Sequence, residues 1–215
     1  MTYTPGADDN ASGVAGLLEL ARLLQQQTPG IGVQLVAYAS EEPPFFRSDE
    51  MGSAVHAASL ERPVKLMIAL EMIGYYDSTP GSQDYPYPAM SWLYPDRGDF
   101  IAVVGRMQDI NAVRQVKAAL LSSRDLSVYS MNAPGFIPGI DFSDHLNYWQ
   151  HDIPAVMITD TAFYRNKQYH LPGDIADRLN YQKMAQVVDG VTTLLYNSKS
   201  VSYTHLRAHE TEADI

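Results

Sequence analysis

The chain has 215 residues and 46% hydrophobic content, enough for one domain with a sizeable core. Its formal charge of −10 and lack of any basic run argue against a nucleic-acid partner, and its longest apolar stretches are strand-length, too short for a membrane span. There is no cysteine, so a metal would have to be held by Asp, Glu and His.

The first stretch with chemical content is Gly6–Ala7–Asp8–Asp9–Asn10–Ala11–Ser12–Gly13. Asn10 or Ser12 can cap a following helix. The paired acids at Asp8 and Asp9, behind Pro5–Gly6, also suit a rigid turn that presents a carboxylate to a metal. Apolar spacing predicts a helix over 11–26, with Val14, Leu17, Leu18, Ala21 and Leu24 on its inner face, ended by Thr28–Pro29–Gly30. Residues 32–39 predict a buried strand that runs into Ser40–Glu41–Glu42–Pro43–Pro44, where the prolines stop it. A short helix over 52–60 and a strand over 64–70 follow, the strand closed by Glu71.

Residues 75–99 form a long irregular stretch, of a kind that is usually functional in a compact domain. Strands are predicted at 100–105, 126–129 and 155–159, and helices at 110–122, 144–149 and 181–196. In the last of these, Met184, Val187, Val188, Val191 and Leu194 or Leu195 pack inward. The alternation and the continuous apolar strands indicate an α/β fold, a three-layer sandwich with a mostly parallel sheet and helices on both faces.

In such sheets the ligand site lies beyond the carboxyl ends of the strands. Asp9, Glu41, Glu42, Glu71 and His170 all fall on that rim. Taken singly, each has an ordinary explanation: a solvated turn, an exposed strand end, a packed loop histidine. Together they make a cluster of carboxylates whose mutual repulsion a divalent cation would relieve. Histidine with carboxylates suits zinc.

The motifs Gly-Ala-Asp-Asp-Asn-Ala-Ser-Gly, Ala-Tyr-Ala-Ser-Glu-Glu, Leu-Glu-Met-Ile-Gly-Tyr-Tyr, Ser-Asp-His and Tyr-His-Leu-Pro-Gly-Asp, in that order from Thr4 to about Asn197, resemble those of the di-zinc aminopeptidases of metallopeptidase family 28. That family also includes glutamate carboxypeptidase and the glutaminyl cyclases. The resemblance implies Asp9 as the carboxylate bridging two zinc ions, with a cis peptide to Asn10. It implies Glu42 and His170 as the remaining ligands of the first zinc, Glu71 as a ligand of the second, and Glu41 as the general base. Asp144, in the Ser-Asp-His motif, is either a helix cap or a residue that orients the site from behind.

His56 is read as surface or core. Tyr164, Arg165 and Asn166 are either substrate contacts or a solvated loop, and side-chain preference is assigned to loops such as 75–99. The implied reaction is removal of an N-terminal residue from a peptide substrate. The alternatives are glutaminyl-peptide cyclisation and a non-catalytic binding domain of the same fold.

The family's second zinc site needs another histidine, in a His-x-Asp motif upstream of the Asp8–Asp9 turn. The sequence contains no such motif, which implies a catalytic domain over residues 1–200 shortened at its N-terminus, with one zinc site incomplete. Val201–Thr211 resembles one reading frame of a sequencing adapter, so 201–215 is set aside as a non-native tail. His205 and His209 within it are accordingly not read as a zinc pair.

Overall fold

A computed structural model describes residues 4–198. The tail at 201–215, with His205 and His209, lies outside the described residues.

The sheet has four strands, β1 (Met67–Glu71), β2 (Phe100–Gly105), β3 (Ser127–Asn132) and β4 (Ala155–Thr159), in the order β1-β4-β2-β3. β1 runs parallel to β4 and β2 parallel to β3, while β2 and β4 pair antiparallel. Every residue of β2 and β4 is buried, as their unbroken apolar runs require of strands covered on both faces.

Alternation then divides the core. Ile101, Val103, Val156 and Ile158 point to one face, against α3 (Ile110–Leu120) and α5 (Tyr181–Asn197). Phe100, Ala102, Val104, Ala155 and Met157 point to the other, where Tyr148 of α4 (His145–Trp149) and Ala57 of α2 (Gly52–Ala58) meet them. α3 and α5 pack closely because position 190 is glycine: a Cβ there would lie 2.8 Å from the Leu120 Cα. In α5, Leu194 is the buried member of its Leu–Leu pair, and the Asn180 side chain caps the first turn through the Lys183 N–H. No helix among the described residues is long and apolar enough to cross a membrane.

Three elements differ from expectation. Helix α1 spans Gly13–Leu24 and follows a kinked turn, Ala7–Ser12, whose Asp9 and Asn10 are not helical. Its buried face is Gly13, Gly16 and Leu20, whereas Val14 and Leu18 are 45% and 66% exposed. The predicted face ranked large side chains. The actual contact joins Leu20 to two glycine positions, with Gly13 so close to β1 that a Cβ would lie 2.3 Å from the Leu70 carbonyl oxygen. The strand predicted over 64–70 shortens to Met67–Glu71.

Residues 32–39 carry no strand, because a strand exists only through its ladder and no described segment pairs with them. The chain is held there instead by the Gly52 N–H donating to the Ala39 carbonyl and by the Tyr38 hydroxyl, 2.5 Å from the Tyr148 hydroxyl.

Inside α4, His145 is fully buried as a neutral ring. Its Nε2–H donates to the Ile140 carbonyl at 2.7 Å, the ring packs edge-on against Trp149, and burial pushes its pKa down to about 4. Between its ordinary value near 6.5 and about 4, the unfolded chain binds a proton that the folded chain refuses, so stability falls as pH falls through that window. Unfolding by urea is expected to show this residue contributing a loss of about 2 kcal/mol between pH 7 and pH 5. The contribution is read as the difference from His145→Gln, which keeps a donor for Ile140 and removes the titration. That comparison also cancels the buried carboxylates, whose raised pKa values act in the opposite direction.

Candidate metal centre

The turn that opens the described chain is tied down on both sides. The buried carboxylate of Asp174 accepts from the backbone N–H of Asp8 at 3.0 Å and of Asp9 at 3.1 Å. Asn10 accepts through Oδ1 from the N–H groups of Gly13 and Met72 and donates through Nδ2 to the Leu70 carbonyl. The Ser12 hydroxyl donates to the Asp8 carbonyl and accepts from the Ile73 N–H. The helix cap is therefore supplied by Asn10, and the same side chain fixes the turn to the end of β1. The Asp9–Asn10 peptide is cis.

The two adjacent acids separate. Asp8 is fully buried and accepts from the Gly74 N–H and the Asn166 side chain. Asp9 turns outward. Its Oδ2 lies 3.0 Å from His170 Nε2, and Glu42 Oε1 lies 2.9 Å from the same nitrogen. One ligand atom from each of Asp9, Glu42 and His170 lies within 4.8 Å of the others. His170 is carried on a left-handed backbone, φ 57°, with its ring stacked on Tyr169 at 3.8 Å.

Glu41 and Glu42 diverge in the same way. While Glu42 is exposed and faces His170, Glu41 points inward. Burial, reinforced by the charges of Asp144, Glu42 and Asp9, pushes its carboxyl up to about 8. Glu71 ends β1 and lies outside the three-donor group. Its Oε2 accepts from the Ser143 hydroxyl at 2.7 Å. Burial drives its pKa well up, and Glu41, Asp9 and Asp144 add to that. Asp144 makes no side-chain cap for α4. Burial raises its pKa, and its Oδ1 is buried without a partner.

This donor set fits a divalent cation. A single Nε2 carries at most one proton, yet two carboxylate oxygens lie within 3.0 Å of it. Burial first, and then the Glu42 charge, push the Asp9 carboxyl up to about 6. The group thus concentrates more negative charge than one imidazole can compensate, and one nitrogen with two carboxylates is a zinc-type set.

Other residues named from the sequence take different places. Arg165 and Asn166 are buried, which excludes a solvated loop for both. Arg165 donates to Gln83 and to the carbonyls of Tyr75 and Phe100. Tyr164 lines an apolar cavity. His56 bonds the Tyr148 hydroxyl through Nδ1 at 2.6 Å, away from the donor group.

Sequence reasoning gave no role to Asp174 or Asp160. Asp160 is fully buried beside Asp8 and accepts from the N–H groups of Tyr75 and Ala162. Asp174 lies in the same motif as His170, which was the available signal; Asp160 follows β4 directly with no motif to mark it.

The family model described as Peptidase family M28 matches residues 1–195. Over 199 residues the chain is 94% identical to the uncharacterized protein YfbL of Escherichia coli (strain K12), covering 93% of this chain and 62% of that one. It is 23% identical to Leucine aminopeptidase 1 of Coccidioides posadasii (strain C735) over 85% of this chain and 44% of that one. The zinc aminopeptidase BSAP from Bacillus subtilis superposes with a TM-score of 0.65 at 19% identity, over 91% of this chain and 43% of the other. The chain thus spans between two-fifths and just under two-thirds of the length of these proteins.

Proposed function

This chain belongs to peptidase family M28, and on that footing we propose that it hydrolyses the N-terminal residue from peptides, with zinc at Asp9, Glu42 and His170 and Glu41 as the general base. The observation that carries this reading is the divergence of Glu41 and Glu42: one acid of the pair joins the donor group while its neighbour stays inward, free of it. Bound at that group, zinc would polarise the scissile carbonyl and acidify a water. Glu41 accepts the water's proton at its carboxylate and passes it to the leaving amine. Asp174 and Asn10 hold the Asp9 backbone in place, so the donor group keeps its shape while the substrate exchanges.

Glu71 is the carboxylate available to a second metal. Asp9 and Glu71 alone are only two donors, so one tightly held zinc per chain is expected.

Mass spectrometry of a peptide pair tests the activity. With zinc present, the peptide with a free N-terminus is expected to lose one residue at a time, and its acetylated counterpart to stay intact. Cleavage inside the acetylated peptide would overturn the exopeptidase reading, and loss of ammonia from an N-terminal glutamine without hydrolysis would turn it into a cyclase.

A further inference from the structure

Beyond Glu42 the chain folds back twice, the Phe45 N–H donating to the Glu42 carbonyl and the Ser48 N–H to the Phe45 carbonyl. Two such turns keep the Arg47 Cα within about 14 Å of the Glu42 Cα, the length of about four extended residues. The Arg47 side chain is half-exposed, and its guanidinium lies over two phenyl rings, 5.3 Å from the Phe46 centroid and 5.7 Å from that of Phe142. Phe142 arrives from another segment. It precedes Ser143, whose hydroxyl donates to Glu71. Arg47 thus stands where two segments that supply the acid cluster meet.

Most of its hydrogen-bonding capacity is unspent. Nη2 donates to the Asp141 carboxylate, and Nε and Nη1 have no partner among the described residues. A guanidinium has five donors in one plane, so a single bond to Asp141 leaves a pair of adjacent N–H groups for a second carboxylate. The two rings fix that plane without consuming a donor. Glu41, Glu71 and Asp144, gathered around the donor group, are all acidic and repel a substrate carboxylate.

Resting on the aminopeptidase reading, we propose that Arg47 binds the C-terminal carboxylate of the substrate and makes peptides of two to four residues with a free C-terminus the preferred class. Longer peptides carry their carboxylate past the guanidinium, and a C-terminal amide offers it no charge. Asp141 competes for the same cation and sets how much of it the substrate meets.

The full chain, loaded with zinc, is assayed on Leu-Ala, Leu-Ala-Ala and an octapeptide that begins with Leu, each as free acid and as C-terminal amide. Binding of Leu-Ala and its amide is measured by calorimetry. The acid is expected over the amide by roughly 5- to 20-fold in kcat/KM for the two short peptides, carried by KM, with no difference for the octapeptide. Arg47→Gln is expected to bring the short-peptide ratio to about 1, while Asp141→Asn, which breaks the same ion pair from its other side, holds or raises it. A pair that only clasped the two segments would give both variants the same change in activity and leave the acid-to-amide ratio unmoved. That ratio is also independent of the fraction of folded enzyme. A parent ratio near 1, an equal preference in the octapeptide, an unmoved ratio in Arg47→Gln or an equal fall in Asp141→Asn overturns the assignment. If no peptide is cleaved, the calorimetry still decides. Leu-Ala bound more tightly than its amide, with the difference lost in Arg47→Gln, would keep the role of Arg47 while the reaction reading falls, and equal or absent binding would reject both.

Discussion

Glu41→Gln is expected to lower kcat by roughly 10²- to 10⁴-fold, the range over which a positioned general base contributes. Zinc content should stay unchanged and KM should move little. Glutamine preserves the size of the side chain and one acceptor oxygen, so the turn that carries Glu42 need not shift. It cannot take a proton. The inward position of Glu41, away from His170, is what makes zinc retention the expected companion of lost activity. The change also relieves a crowded site, because an uncharged amide no longer faces Asp144, Glu42 and Asp9. The folded state should therefore be no less stable than the parent, and thermal unfolding separates an inactive enzyme from an unfolded one. Activity within a factor of a few of the parent would remove Glu41 from the reaction.

His170→Ala is expected to act one step earlier, by abolishing tight zinc binding. His170 is the only nitrogen donor in the group, and its loss leaves Asp9 and Glu42 facing each other with nothing between them. Residues that merely orient a ligand typically contribute 10- to 100-fold in metal affinity, so removing a ligand should weaken binding by more than roughly 100-fold. Metal analysis after gel filtration would show zinc in the parent and in Glu41→Gln but not in His170→Ala. The side chain is 45% exposed and its loss opens no core cavity, so the fold should survive. Zinc retained at full stoichiometry in His170→Ala would place the metal elsewhere.

The two variants also mark how much the sequence discloses. β2 and β4 agree residue for residue with expectation because an unbroken apolar run has one outcome in a covered sheet. The inner face of α1 does not, since Gly13 and Gly16 set it together with Leu20, and apolar periodicity is blind to glycine. Residues 32–39 read as a strand from composition, but a strand also needs a neighbour.

In the site, the ligand atoms of Asp9, Glu42 and His170 lie together. The supports behind them were hidden for a physical reason. Asp8, Asp160 and Asp174 are buried acids satisfied by backbone N–H groups from distant segments, and such pairings leave no local pattern. Arg165 and Asn166 looked like loop residues by type, and only the packed structure shows them inside. The cavity is built by the irregular stretch 83–94, whose composition says it matters without saying what it encloses.

The claim on which the rest depends is that three separated segments hold one metal ion. Anomalous diffraction from crystals grown with zinc, collected on either side of the zinc absorption edge, tests it most directly. One strong peak per chain is expected, bounded by Asp9, Glu42 and His170 at about 2.0 to 2.2 Å from each. A principal peak at any other set of side chains, or none at those three while zinc remains bound in solution, would contradict it.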